Sequence, residues 1–161
     1  MIFSPQSKVW IYQSSRAFTP TEATAIQQKL DNFTAQWKAH GHQLKAKAEL
    51  PYHFFIVLTV DQDAASATGC SIDSSVRVIK EIETEYGVDL FDRFNMAYKV
   101  DNEVHVNTKE DFETLISIKK ITPETIVFNN LVQTLAEFET KWEVPLAQSW
   151  HNFVFAEQLG S

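Results

Sequence analysis

The residues with the most chemical potential lie in a stretch of small and polar residues, 61–75 (DQDAASATGCSIDSS), which contains the only cysteine of the chain, Cys70. This stretch follows the most apolar run of the sequence, and the spacing of Ile72, Ile79 and Ile82 predicts a helix over residues 72–85. The first N–H groups of a helix lack internal acceptors and carry partial positive charge, so they favour a thiolate or a bound anion. We therefore predict a pocket for a small ligand, such as an anion, at Gly69-Cys70-Ser71. Its predicted binding groups are Gly69, Ser71, Ser74 and Asp61.

The same stretch also has a purely structural interpretation. Ser71 or Asp73 caps the helix, Gly69 supplies a turn, and Cys70 packs as a small buried hydrophobic residue. Both interpretations place the beginning of a helix at this stretch. They differ in whether the Cys70 thiol is exposed to solvent or buried.

The elements around this stretch predict the α+β class. Strands are expected at residues 8–14, 44–50 and 53–61, with a helix over 20–40 between the first two. A hairpin at 94–100 and 103–107 follows the second helix, and the remainder reads as short helices and one strand at 125–129. The order β-α-β-β-α-β is that of a ferredoxin-like split βαβ core with an antiparallel sheet.

In this arrangement the first and third strands are central and the second and fourth are outer. We predict one domain over residues 1–161, in which residues 1–107 form the ferredoxin-like core, including the added hairpin strand. Residues 108–161 form a C-terminal helical tail, and this tail or a second subunit covers the open face of the sheet. A homodimer is therefore an expected partner.

The direction of the strands brings two distant loops to one end of the sheet. The first loop holds His40, Gly41 and His42, and the second holds Cys70 with its acidic neighbours. A cysteine-nucleophile enzyme is one hypothesis for this convergence, with Cys70 as nucleophile, His40 or His42 as base and Asp73 as the acidic partner.

Two other hypotheses use the same convergence. A metal site would take nitrogen, sulfur and oxygen donors of the kind zinc accepts, although the spacing matches no zinc signature. Its donors would be His40, His42, Cys70 and Asp61. The leading hypothesis is a non-catalytic binding or protein-interaction module without a cofactor, since the predicted fold supports many unrelated functions.

Composition narrows the class of protein. The 161 residues are 44% apolar and 22% charged, with a formal charge of −7 and no basic run, which argues against binding to nucleic acid or an anionic membrane. One cysteine excludes an internal disulfide, and no segment approaches the roughly 20 apolar residues of a membrane helix. We predict a cytoplasmic protein that does not insert into membranes.

Several local patterns together resemble an uncharacterised bacterial family of about this length, whose members are often labelled as ATPases of ABC transporters. The matching patterns are Trp37-x-x-His40-Gly41, Phe55-Ile56-Val57-Leu58-x-Val60-Asp61, Gly69-Cys70-Ser71-Ile72-Asp73, Thr125-Ile126-Val127-Phe128-Asn129-Asn130, Trp142-Glu143-Val144-Pro145 and Ser149-Trp150-His151. The resemblance covers nearly the whole chain and implies no activity. The label does not agree with the sequence, because the chain lacks the Gly-x4-Gly-Lys-Ser/Thr loop that holds phosphates.

Overall fold

A computed structural model of the protein describes residues 2–63 and 65–160. These residues fall into two compact units. The first contains the residues up to Phe91 together with Gln133–Phe138, and the second contains Asp92–Val132 and the residues from Glu139 onward. Helices and antiparallel sheets are both present, which confirms the α+β class.

The strands are β1 (Lys8–Gln13), β2 (Lys38–Ala39), β3 (His42–Gln43), β4 (Lys45–Glu49), β5 (Phe55–Asp61), β6 (Asn95–Val100), β7 (Glu103–Thr108), β8 (Ile126–Phe128) and β9 (Glu143–Pro145). The α-helices are α1 (Pro20–Gln36), α2 (Gly69–Tyr86), α3 (Lys109–Ser117), α4 (Leu135–Lys141), α5 (His151–Val154) and α6 (Ala156–Leu159). Short 3-10 helices occur at Pro51–His53 and Leu146–Gln148. In the part of the chain that the structure describes, none of the helices combines the length and apolar composition needed to cross a bilayer.

The sheet of the first unit has the order β1-β5-β4, and both neighbours run antiparallel to β5. Side chains alternate along β5, so Ile56, Leu58 and Val60 share one face. These three residues are fully buried in one cluster with residues of α1 and α2, such as Ile26 and Ile79. Both long helices therefore pack on the same face of this sheet.

The strand predicted as fourth, β6, is not in this sheet. It pairs with β7 and β8 in a second sheet of order β7-β6-β8-β9. The other edge of β1 pairs with the backbone of Gln133 and Leu135. The Gln133 C=O accepts from the Val9 N–H at 2.9 Å, and the Leu135 N–H donates to the Ser7 C=O at 2.8 Å. The ferredoxin-like topology is therefore not confirmed, because a segment distant in sequence pairs with the edge that the predicted fourth strand needs.

Helix α1 ends at Gln36, so the predicted end at residue 40 is wrong. Trp37 leaves the helical conformation with ψ 123° and is buried, while Gln43 Nε2 donates to the carbonyls of Thr34 and Trp37 at the helix end. The chain then forms the two-stranded β2-β3 hairpin. Gly41, with φ 77°, lies in the hairpin turn and is not a helix cap.

The second unit contains its own sheet and its own core. Met96, Tyr98 and Val127 of the sheet pack with Phe112 of α3 and with Phe155, which precedes α6. The boundary predicted at residue 107 falls inside this unit, because β6 and β7 belong to its sheet. A single domain with residues 108–161 packed on the core stays a prediction.

Candidate functional site

The start of α2 is closed by a reciprocal pair of hydrogen bonds. Thr68 Oγ1 accepts from the Ser71 N–H at 3.3 Å, and Ser71 Oγ accepts from the Thr68 N–H at 2.7 Å. The helix therefore begins at Gly69, three residues before the predicted start, with Thr68 as its N-cap. Neither Ser71 nor Asp73 is the N-cap, since a capping box needs the hydroxyl at the residue before the first turn.

Cys70 lies in the first turn of this helix and is exposed to solvent. The prediction of a buried thiol is therefore wrong, while the prediction that Cys70 lies among the first N–H groups is confirmed. Ser74 Oγ donates to the Cys70 carbonyl at 3.0 Å, so that hydroxyl is already bonded within the helix. Gly69 and Asp73 are exposed beside it, and Ser71 is buried.

The two histidines of the predicted site lie in the β2-β3 hairpin. His40 occupies its turn with φ 51°, His42 begins β3, and both side chains are exposed. Just before this hairpin, the Trp37 indole Nε1–H donates to the Ser71 carbonyl at 2.8 Å. The end of α1 and the start of α2 therefore meet, as the predicted convergence requires.

The contacts that would turn this convergence into a catalytic or metal centre are not formed. Within residues 2–63 and 65–160, no hydrogen bond joins Cys70 to His40 or His42. The same residues contain no group of three or more His, Cys, Asp and Glu side chains placed to hold a metal ion. The proposed metal donors His40, His42, Cys70 and Asp61 are thus not gathered, because the hairpin presents both imidazoles to solvent and Asp61 is turned elsewhere.

Asp61 has a structural environment. It is 5% exposed, and its carboxylate accepts from the backbone N–H groups of Ser4 and Asp63 at 3.1 and 3.0 Å. Lys45 Nζ lies 3.4 Å away. The Ser4 N–H, followed by the Asp63 N–H and the Lys45 ammonium, lowers the pKa of the Asp61 carboxyl below its ordinary value. Asp61 therefore ties the N-terminal segment to the end of β5 and is not available as a ligand.

A concave site that the sequence did not indicate lies along the polar side of α1. It is a cleft of about 490 Å³ between α1 and the segment that follows β4. Within it, Gln27 Nε2 donates to Asp31 Oδ1 at 2.8 Å and to the Ala48 carbonyl at 2.9 Å, which orients the amide and the carboxylate. The residues that line the cleft are Ala23, Thr24, Gln27, Gln28, Asp31, Leu50 and His53.

The backbone on one side of this cleft adopts an uncommon conformation. Tyr52 and His53 both have positive φ, 58° and 52°, which non-glycine residues seldom adopt. The His53 carbonyl accepts from the Phe18 N–H at 2.7 Å and the His53 N–H donates to the Leu50 carbonyl at 3.1 Å, so neighbouring segments hold this turn. The sequence did not indicate this conformation, since positive φ has no signature in these residue types.

The second unit contains a buried pair of polar side chains. Ser149 Oγ and His151 Nδ1 share a hydrogen bond of 2.8 Å, and the residues are 8% and 1% exposed. The Trp150 ring stacks on the imidazole at 3.7 Å between centroids. Burial lowers the pKa of His151 to about 4, so the imidazole is neutral near pH 7.

The comparisons with known proteins add no family. No protein-family model matches the sequence, and neither a curated protein nor a solved structure matches it.

Proposed function

We propose that this protein is a small-ligand-binding module and that the α1 cleft is its binding site. The observation that supports this proposal is the cleft itself, a depression broadly open to solvent whose volume of about 490 Å³ lies within the roughly 300–1,000 Å³ of small-molecule sites. Its wall is mostly polar, with Ala23 and Leu50 as the apolar part, so a ligand would be held mainly by hydrogen bonds to the oriented polar groups.

The lining favours a neutral or cationic ligand. It contains one carboxylate, two amides, a hydroxyl and an imidazole, and no lysine or arginine. Gln27 uses its N–H groups on Asp31 and on the Ala48 carbonyl, which leaves its Oε1 and the second Asp31 oxygen as acceptors. A ligand that carries amine, guanidine, amide or hydroxyl donors would therefore be recognised.

The test is a titration of the 15N-labelled full chain with small primary amines, guanidines, amides and polyols. We expect amide shifts concentrated at residues 23–31 and 50–53. Asp31→Asn should weaken the binding of the cationic probes about fivefold, an effect of about 1 kcal/mol.

The matched control is Asp63→Asn, which removes an exposed carboxylate outside the cleft and should leave the titration unchanged. Absence of shifts at the cleft with every probe class would refute the proposed site. Equal effects of Asp31→Asn and Asp63→Asn would refute the proposed role of the Asp31 carboxylate.

The start of α2 supports a second candidate function, an anion-binding or thiol-dependent role at Gly69-Cys70-Ser71. Two observations support this candidate. The Cys70 thiol is exposed within the first turn, and in the described chain the backbone N–H groups of Gly69 and Cys70 have no hydrogen-bond acceptor. Inorganic phosphate should then shift these two amides.

The nucleophile alternative makes a separate prediction for this site. The rate of Cys70 alkylation should titrate with pH and fall in His40→Ala or His42→Ala, because the lost imidazole would be the base. An unchanged rate in both variants removes the enzyme alternative, and Cys70 would then remain as an anion-binding candidate only.

We also propose that the first unit is an incomplete ferredoxin-like arrangement. The order β1-β5-β4 and the packing of α1 and α2 on one face support this description. Amide hydrogen exchange should show protection of β1 on both of its edges. Membership of the uncharacterised bacterial family and a cytoplasmic location, proposed from sequence patterns and the single cysteine, stay predictions.

A further inference from the structure

We propose that the outer edge of β7 is a self-association surface, on which a second copy of this chain adds its own β7 antiparallel across a two-fold axis. The pairing would join two copies of the sheet β7-β6-β8-β9 into one continuous sheet. This surface is independent of the α1 cleft and of the start of α2.

The hairpin geometry shows which backbone groups of β7 point outward. Asp101 and Asn102 have φ of 51° and 66°, the signature of a two-residue type I′ turn, and Val100 pairs with Glu103. Glu103 and each second residue after it therefore bond to β6, while Val104 and Val106 direct their N–H and C=O groups away from the sheet. In the described part of the chain these outward groups have no hydrogen-bond partner.

The other outer strands of the two larger sheets are protected, and β7 is not. The edge of β1 is occupied by the backbone of Gln133 and Leu135. On β4, the Ala48 carbonyl already accepts a hydrogen bond from the Gln27 side chain, and the strand contains two lysines, which oppose pairing with another strand. The β9 strand has three residues and ends in Pro145, which has no N–H.

The sequence of β7, EVHVNT, contains no lysine and no proline. It is six residues long, and over residues 103–106 the half-buried valines alternate with the exposed side chains of Glu103 and His105. A long regular edge without such protection is a site for pairing with another strand.

The strand is complementary to itself in one register. If Val104 pairs with Val106 of the second copy, each pair exchanges two backbone hydrogen bonds, and valine meets valine on one face. His105 then lies opposite His105 of the second copy, and Glu103 lies opposite a neutral asparagine. Glu103 is the only carboxylate of the strand, so this register opposes no two carboxylates.

Sedimentation velocity of the full chain over a concentration series tests the surface. We expect a monomer–dimer equilibrium whose dissociation constant rises roughly tenfold or more in Val106→Lys, because lysine on an edge strand opposes pairing. The control Val100→Lys makes the same change at a valine that is 42% exposed and lies outside the edge. A monomeric wild type, or equal effects of the two substitutions, would overturn the proposal.

Disulfide formation tests the register and does not depend on the stability of Val106→Lys. In a Cys70→Ser background, His105→Cys should cross-link on oxidation, since directly opposed Cα atoms lie about 4.5 Å apart. Glu103→Cys is the matched control, because the two copies of residue 103 would be about 13 Å apart along the strands. Cross-linking of both variants, or of neither, rejects the two-fold pairing.

Discussion

The first unit contains a thiol and two imidazoles that solvent reaches, whereas the second contains a serine and a histidine that are hydrogen-bonded and buried. Cys70 and the hairpin histidines are exposed, but no hydrogen bond orients one toward another in the described chain. Ser149 and His151 hold each other at 2.8 Å, but His151 is 1% exposed.

This difference separates two requirements of a reactive site, access and orientation. A nucleophile needs a substrate to reach it and a base within hydrogen-bond distance. The first group of residues has access without orientation, and the second has orientation without access. Substitutions should therefore affect stability strongly around the buried pair and weakly around the exposed thiol, which the following changes test.

The largest effect is expected from Phe112→Ala in the second unit. Phe112 is fully buried, and its ring lies 6.1 Å from His151 and 4.9 Å from Phe155. Loss of a buried phenylalanine should lower the free energy of unfolding by about 3–5 kcal/mol. Urea denaturation measures this, with Phe153→Ala as the control, since Phe153 is 88% exposed and should change stability by less than about 0.5 kcal/mol. Similar values for the two variants would show that the buried pair is not enclosed by a packed core.

The next effect is the pH dependence that His151 contributes. The unfolded state binds a proton near the ordinary pKa of 6.5, whereas the folded state binds it near pKa 4, so stability falls as pH decreases between these values. The loss should be about 3 kcal/mol at most. Urea denaturation at several pH values measures it, and His151→Gln should remove it.

The carboxyls with lowered pKa values act in a lower pH range. The Arg16 guanidinium lowers the pKa of Glu22 to about 2 from 4.5, and Asp61 titrates below its ordinary value of 3.8. Their contributions are complete above these ordinary values and are lost only as pH falls further. A pH dependence above pH 4.5 that persists in His151→Gln would contradict the assignment to His151.

A smaller effect is expected at the start of α2. Thr68→Ala removes the hydroxyl that accepts from the Ser71 N–H, which should cost about 1 kcal/mol of stability by thermal or urea denaturation. Thr84→Ala, an exposed position later in the same helix, is the matched control and should change stability by less than about 0.5 kcal/mol. Equal effects would mean that the cap does not hold the helix start.

The smallest effect is expected from Cys70→Ser. An exposed thiol contributes little packing, so the free energy of unfolding should change by less than about 0.5 kcal/mol. Iodoacetamide should alkylate Cys70 in the folded protein at a rate within about tenfold of that in urea, because access already exists. Strong protection in the folded state would place the thiol inside the structure and contradict the comparison.

Much of the fold could be predicted from local sequence pattern. The strands predicted at residues 8–14 and 44–50 and the hairpin predicted at 94–100 and 103–107 correspond to β1, β4 and the β6-β7 hairpin. The hydroxyl residues Thr19 and Thr108 are the N-caps of α1 and α3, and a hydroxyl residue at a helix start is also a local signal. These features depend on the spacing of apolar residues and on the residue types at turns and helix starts, which a few neighbouring residues determine.

The candidate site was predictable only in part. The position of Cys70 in the first turn of a helix followed from the small residues before it, but the cap is Thr68, and the exposure of the thiol was not visible in the sequence. The α1 cleft was missed, because its lining comes from a helix and a turn that are far apart in the chain.

The arrangement of the chain into elements followed from hydrophobic period, caps and turns, because each of these acts over a few residues. The partner of β6, the end of α1 at Trp37 and the burial of His151 depend instead on which distant segments compete for the same neighbours. The backbone of residues 133–135 hydrogen-bonds to the edge of β1, and the Ser71 carbonyl accepts from the Trp37 indole N–H. Aromatic residues of the second unit's core surround the His151 imidazole. Packing and hydrogen bonding between distant segments decide this competition, so its result cannot be predicted from any local stretch of residues.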